Sequence, residues 1–322
     1  MSDAPGPLLD AYGHVALPRF LSGEEFLRVM DAHGVSRALV CTAETCPDLA
    51  ELSRTACGWR DRFLVAGLPL GATPQERLDG VRAQLDAGFC GIRIPEARLL
   101  AEPALGDAVG TAGGILLVVG AEGLKSAAPA LTPWLDRFPS GLVLAPHFAS
   151  GGDPGLFSAH PDLEQLYAHP RFAVIASRQG MFPRDRLLPW LHAVHDRVGP
   201  DRLLWGSEYP VALYRDESYA DTIRWIESAM PMDSYAGLRH DNAERLIFGP
   251  RRITPSPLSP RWCRMDLASP APVWLFPHGT LDIPESANRK LLEAYLRAGG
   301  DRREGYRAFV ARALADGRDA LR

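Results

Sequence analysis

Residues 8–42 read LLDAYGHVALPRFLSGEEFLRVMDAHGVSRALVCT. An apolar run, an amphipathic stretch and a second apolar run follow one another. The pattern predicts strand Leu8–Leu17, helix Gly23–Ala32 and strand Arg37–Thr42. The same alternation continues along the chain. Helical Pro47–Arg60 precedes strand Phe63–Leu68, and helical Pro74–Ala87 precedes strand Gly91–Ile94. Strand Ile115–Val119 is followed by helical Ala128–Arg137, and strand Leu142–Ala145 by helical Leu163–Ala168. Strand Phe172–Ala176 leads into helical Arg184–Arg197, and strand Arg202–Trp205 into helical Tyr219–Ala229. Repeated strand–helix units with near-continuous apolar strands predict a parallel sheet buried on both faces. A doubly wound open sheet would alternate in the same way. It often carries a glycine-rich phosphate loop, and neither G-x-G-x-x-G nor G-x-x-x-x-G-K-[ST] occurs here. The expected fold is therefore a (β/α)8 TIM barrel over residues 1–249.

The composition changes after Gly249. Pro250–Pro272 is rich in proline and predicts an extended connector. Glu285–Arg297 and Arg303–Ala315 predict two amphipathic helices joined through Gly299–Gly300. Residues 250–322 are thus expected to form a C-terminal extension of two helices. Trp262, Trp274 and Phe276 suggest that the connector packs against something, as a partial lid or a dimer contact.

The chain has 322 residues, 46% hydrophobic and 23% charged, with a net charge of −4. That is the balance of a globular protein, and no basic run points to nucleic acid. Its apolar runs are too short to span a bilayer, so no membrane partner is expected. The five cysteines form no C-x-x-C, which argues for free thiols and a cytoplasmic location rather than a disulfide framework. MSDAPGPLLD lacks the basic and apolar regions of a secretory leader.

Polar residues recur at predicted strand ends, which converge on one face of a barrel. Alternation along the first strand would turn Asp10, Tyr12 and His14 to one side. An imidazole and a phenol two residues apart suit proton handling or metal binding, although hydrogen-bonded polar residues in a strand look the same. His147 ends LVLAPHFASGG, where small residues leave room for a ligand; a lone histidine is as readily structural. Ser177 and Arg178 end FAVIASRQG, and an arginine there can grip a carboxylate in two-pronged fashion or simply face solvent. Arg93 in GIRI is a further anion-binding candidate. Glu208 lies in GSEYP after LLW. A buried carboxylate there requires a proton, a cation or a metal. His192 and His195 fit an outer helix, and His160 and His169 fit loops. His278 stands alone in the tail.

Several segments, taken in order, resemble the amidohydrolase-related family, which includes 2-pyrone-4,6-dicarboxylate lactonases and aminocarboxymuconate-semialdehyde decarboxylases. They are LLDAYGHV, VSRALV, GFCGIRI, LVLAPHFA, LEQLYAHPRFAVIAS, RLLWGSEYP and DNAERLIFG. The resemblance implies a barrel enzyme acting on a small molecule. The family's first-strand H-x-H pair has become Tyr12-x-His14, its fifth-strand histidine matches His147, and its later histidine position carries Ser177. Glu208 stands in place of the family's aspartate. No lysine ends ILLVVG, so the resemblance does not extend to a binuclear site. No cofactor is the favoured expectation. The alternative is a single zinc or manganese ion on His14, His147 and Glu208, serving a decarboxylase or hydratase.

The leading expectation is a hydrolase of a lactone, ester or amide bond in a small carboxylated substrate. Glu208 would activate water, His14 and His147 would polarise the carbonyl or stabilise the oxyanion, and Tyr12 would hydrogen-bond the substrate or orient His14. Arg178, Ser177 and Arg93 would bind the substrate. A non-catalytic binding or assembly protein on a repurposed barrel is the third reading. Family habit would make the protein a homodimer.

Overall fold

The computed structural model describes residues 7–215, 217–251, 253–263, 285–299 and 305–315. Eight parallel strands follow one another in chain order around one sheet. They are β1 (Leu8–His14), β2 (Val35–Cys41), β3 (Phe63–Gly67), β4 (Gly91–Pro95), β5 (Ile115–Val119), β6 (Leu142–Ala145), β7 (Phe172–Ala176) and β8 (Leu203–Trp205). Helices fill the connections, giving the (β/α)8 barrel that the alternation predicts. The seam between β8 and β1 is held just beyond the end of β8. The Glu208 N–H donates to the Tyr12 carbonyl at 2.7 Å, and the His14 N–H to the Tyr209 carbonyl at 2.8 Å.

The strands bury both faces. On β2, Leu39 and Cys41 join the barrel interior, while Ala38 and Val40 meet the surrounding helices. The helices start where their caps dictate. Ser22 and Glu25 form a capping box before Gly23–His33, Thr73 and Glu76 do so before Pro74–Asp86, and Ser218 and Asp221 before Tyr219–Ala229.

Parts of the helical layer differ from the sequence reading. Between β4 and β5 the chain forms Glu96–Ala101 and Pro103–Thr111, where Pro103, Gly106 and Gly110 obscure any helical period. Wide π-type turns then run over Gly237–Asp241 and Glu244–Phe248. They bring Ala243, Ile247 and Phe248 onto the inner cluster that includes Leu9 of β1, so this segment seals the end of the barrel opposite the strand C-termini.

The described part of the connector lies along the outside of the barrel. The Ser256 N–H donates to the Ala87 carbonyl, and the Leu258 N–H to Ser53 Oγ. Trp262 packs at Gly80, where an added Cβ would come within 3.2 Å of the indole. Trp274 and Phe276, on which the lid expectation partly rests, and His278 lie outside the described residues. The helices Glu285–Arg297 and Tyr306–Ala315 both form, the second starting three residues later than the period predicts. All five cysteines are free, and no helix among the described residues is long and apolar enough to cross a membrane.

Candidate active site

The site is assembled at the C-terminal ends of the strands, and its first device is an irregularity in β1. Asp10 pairs with Ala38, and Gly13 with Val40, so three steps on β1 oppose two on β2. One residue is extra, which is a β-bulge. Ala11 and Tyr12 both turn into the barrel as a result, and His14 follows after Gly13, whose missing side chain leaves room for Phe26. Simple alternation put Asp10 beside Tyr12 and His14. The bulge instead sends Asp10 outward. There its carboxylate accepts hydrogen bonds from the Tyr12 and Ser207 N–H groups at 3.0 and 2.9 Å. Ser207 Oγ and the Tyr219 hydroxyl each donate to it at 2.6 Å.

Left-handed backbone brings in the other strand-end residues. His147, Phe148, Ala149 and Ser150 all have positive φ, as do Arg178 and Glu208. Such conformations cost roughly 1–2 kcal/mol per residue outside glycine, and they gather at functional sites. The turn at His147 is braced from two sides. Its N–H donates to Ser177 Oγ at 2.9 Å, and Trp190 Nε1 donates to the Phe148 carbonyl at 2.7 Å. Ser177, expected to touch substrate, thus holds the His147 backbone.

Glu208 is fully buried, and its carboxylate is the hub of the site. Oε1 accepts from Arg178 Nε at 2.6 Å, with Arg178 Nη2 at 2.5 Å, and lies 3.1 Å from His147 Nε2. That last contact is close but poorly aligned, and Nε2 makes no good hydrogen bond. Oε2 accepts from Arg215 Nη2 at 3.0 Å, and Arg215 also contacts Glu217 at 3.2 Å. Burial alone would raise the Glu208 pKa, but Arg178, Arg215 and then His147 outweigh it and hold the group well below the usual carboxylate range.

Tyr12 stands between the two imidazoles. Its ring meets His14 edge-on at 4.9 Å and His147 at 5.2 Å between centroids. Its hydroxyl accepts from Arg93 Nε at 3.1 Å, and burial keeps it protonated. His14 stacks on Phe20 at 4.9 Å, and its Nδ1 lies 3.6 Å from Cys41 Sγ. Burial lowers His14 to about 3 against the pull of Glu208. His147 is lowered to about 4 by burial and by Arg178, again against Glu208. Both imidazoles are therefore neutral at pH 7 and can each offer one N–H.

The sequence candidates Tyr12, His14, Arg93, His147, Arg178 and Glu208 thus come together. Arg215 and Phe20 join them without having been anticipated. The only signal for Arg215 is a charge ending the apolar run VALYR, seven residues after Glu208. Phe20 carries no signal, because nothing in sequence tells a ring under an imidazole from one in the core.

His14, His147 and Glu208 do not fit a divalent ion as arranged. Both Glu208 oxygens are taken up by guanidiniums, whose charge opposes a second cation at that point. Tyr12, in place of a histidine, adds a protonated phenol instead of a lone-pair nitrogen. Among the described residues, no group of three or more His, Cys, Asp or Glu is arranged to hold a metal.

The amidohydrolase family model matches residues 1–248, and the chain belongs to that family. No curated protein matches it. Solved structures share the fold at low identity. An amidohydrolase from Burkholderia multivorans with bound zinc is 17% identical, with a TM-score of 0.55, covering 75% of this chain and 99% of that one. A probable 2-pyrone-4,6-dicarboxylic acid hydrolase from Acinetobacter baumannii with citric acid bound is 16% identical, with a TM-score of 0.57, covering 76% and 100%. A 2,6-dihydroxybenzoate decarboxylase from Rhizobium is 14% identical, with a TM-score of 0.56, covering 74% and 98%.

Proposed function

We propose that this member of the amidohydrolase family is a metal-independent hydrolase of a lactone, ester or amide bond in a small carboxylated substrate. One observation carries the reading: Arg178 and Arg215 close on a single buried carboxylate, with Arg93 nearby. Even with Glu217 ionised, three guanidiniums face two carboxylates, and an anionic substrate neutralises the excess. Arg93 uses only its Nε on Tyr12 among the hydrogen bonds of the described residues, which leaves its outer nitrogens for a ligand.

The two arginines on Glu208 are not equivalent. Arg215 has a side chain 3% exposed and is tied to Glu217 as well, whereas Arg178 is 32% exposed. A substrate carboxylate draws off Arg178 and frees Oε1. Glu208 then takes a proton from water as the water oxygen bonds to the carbonyl carbon. An N–H of His14 or His147 steadies the oxyanion. The C–O or C–N bond breaks, and Glu208 returns the proton to the leaving oxygen or nitrogen. Tyr12 keeps the imidazoles apart and turned toward the reacting carbonyl.

The test is a screen of carboxylated lactones, esters and amides, followed by Glu208→Gln on any compound hydrolysed. Turnover should fall about 10²–10⁴-fold. Near-wild-type turnover sinks the role of Glu208. Elemental analysis of protein purified without added metal tests the other half of the reading. Stoichiometric zinc or manganese that disappears in His14→Ala overturns metal independence.

A further inference from the structure

Helices Glu285–Arg297 and Tyr306–Ala315 lie beyond the residues that match the family model, yet they reach the loops behind the site. The loop after β1 carries Phe20, the ring under His14. The turn Val211–Arg215 after β8 carries Arg215, the buried cation on Glu208. Within the barrel, Phe20 packs with Ala16, Cys46 and Val211.

The tail holds both loops. Arg289 Nη1 donates to the Phe20 carbonyl at 3.0 Å, and its Nη2 to Glu25 Oε1 at 2.6 Å. Asn288 Nδ2 donates to the Tyr214 hydroxyl at 2.8 Å, which in turn donates to the Arg19 carbonyl at 3.1 Å. From the last helix, the Tyr306 hydroxyl donates to Asn288 Oδ1 at 3.0 Å, and its ring meets Tyr214 edge-on at 5.6 Å. One line of hydrogen bonds thus runs from Tyr306 through Asn288 and Tyr214 to the Arg19 carbonyl. Asn288, Tyr214 and Tyr306 are all buried, so each lost bond strands a polar group away from water.

We infer that Asn288 and Arg289 are positioning residues, through which the C-terminal helices set the placement of His14, via Phe20, and of Glu208, via Arg215. This rests on the location of the site at the barrel mouth and not on the reaction assigned to it. A helix pair that merely braces the barrel would affect stability alone. A pair that positions the site must also change the environment of His14. Catalytic and binding groups are sensitive at this level, since displacements near 1 Å cost on the order of 100-fold.

The experiment uses the full chain with Asn288→Ala, Arg289→Ala, Arg289→Lys and Glu293→Ala. Glu293 pairs with Arg289 Nε and, among the described residues, has no hydrogen bond to either loop, so its variant is the control. Three readouts are taken. They are the imidazole ¹H–¹⁵N spectrum, with His14 assigned by its loss in His14→Gln, the citrate dissociation constant by calorimetry, and the Tm. Asn288→Ala and Arg289→Ala should shift the His14 signals and weaken citrate about tenfold. Arg289→Lys should recover part of both, and Glu293→Ala should match wild type. His14 signals that superpose on wild type in both alanine variants, with only the Tm lowered, overturn the inference. If wild type does not bind citrate, the carboxylated-substrate reading is what fails, and the His14 spectrum still decides the role of the tail. If Arg289→Ala does not fold, Asn288→Ala and Arg289→Lys decide it.

Discussion

Two buried carboxylates, Asp10 and Glu208, stand on either side of the β8–β1 seam. On the outer side, Asp10 accepts four hydrogen bonds, all from neutral groups of Tyr12, Ser207 and Tyr219. Burial pushes its pKa up, and those bonds only partly counter the rise. On the inner side, Glu208 is gripped by two arginines and held far down. Asp10 has every lone pair engaged by groups that are part of the fold, so it joins strands. Glu208 has partners that are charged and, in Arg178, partly open to solvent, so an anion can compete for them. Burial alone separates structure from function poorly here; the chemistry of the partners does it better.

The first test of this contrast is Asp10→Asn. The amide nitrogen that replaces one oxygen meets donors instead of offering an acceptor. The cost should be about 2–4 kcal/mol, or a Tm drop of roughly 3–6 °C. Thermal unfolding that leaves Asp10→Asn within a degree of wild type would break the comparison, because the outer carboxylate would then not be holding the seam.

The second test is pH. The buried imidazoles of His14 and His147, lowered to about 3 and about 4, refuse protons that the unfolded chain accepts below its ordinary value of 6.5. Stability is therefore fully present above pH 6.5 and is lost as the pH falls toward 4. Each histidine contributes about 1.4 kcal/mol per pH unit across that window. A Tm profile that declines in wild type and flattens in His14→Gln is expected. An equal slope in both would mean that His14 is charged in the folded protein.

The smallest effect belongs to Phe20→Leu, which keeps the loop apolar but removes the ring beneath His14. The loss should be about 0.5–1.5 kcal/mol, with a displaced His14 imidazole signal as the local readout. An unmoved signal would detach Phe20 from the site.

The barrel was legible because its strands are short apolar runs with sharp ends. Ile115–Val119, Leu142–Ala145 and Phe172–Ala176 have the boundaries that the sequence predicts. The site was legible as a set of strand-end residues, since a barrel gathers them whatever its details. Two things were hidden for physical reasons. A bulge is a one-residue slip with no compositional mark, so the outward turn of Asp10 could not be read from alternation. Arg215 reaches Glu208 through the curl of a 3₁₀ turn, and sequence spacing does not encode that direction.

The positive φ angles at His147–Ser150, Arg178 and Glu208 also leave a trace that descent can read. At these positions the backbone by itself prefers glycine or asparagine. A lineage that no longer uses the pocket should drift toward those residues there, first at Ala149 and Ser150, and become more stable as it does. Retention of bulkier side chains along that turn, and of arginine and glutamate at the other two positions, would then record selection acting against the fold's own preference.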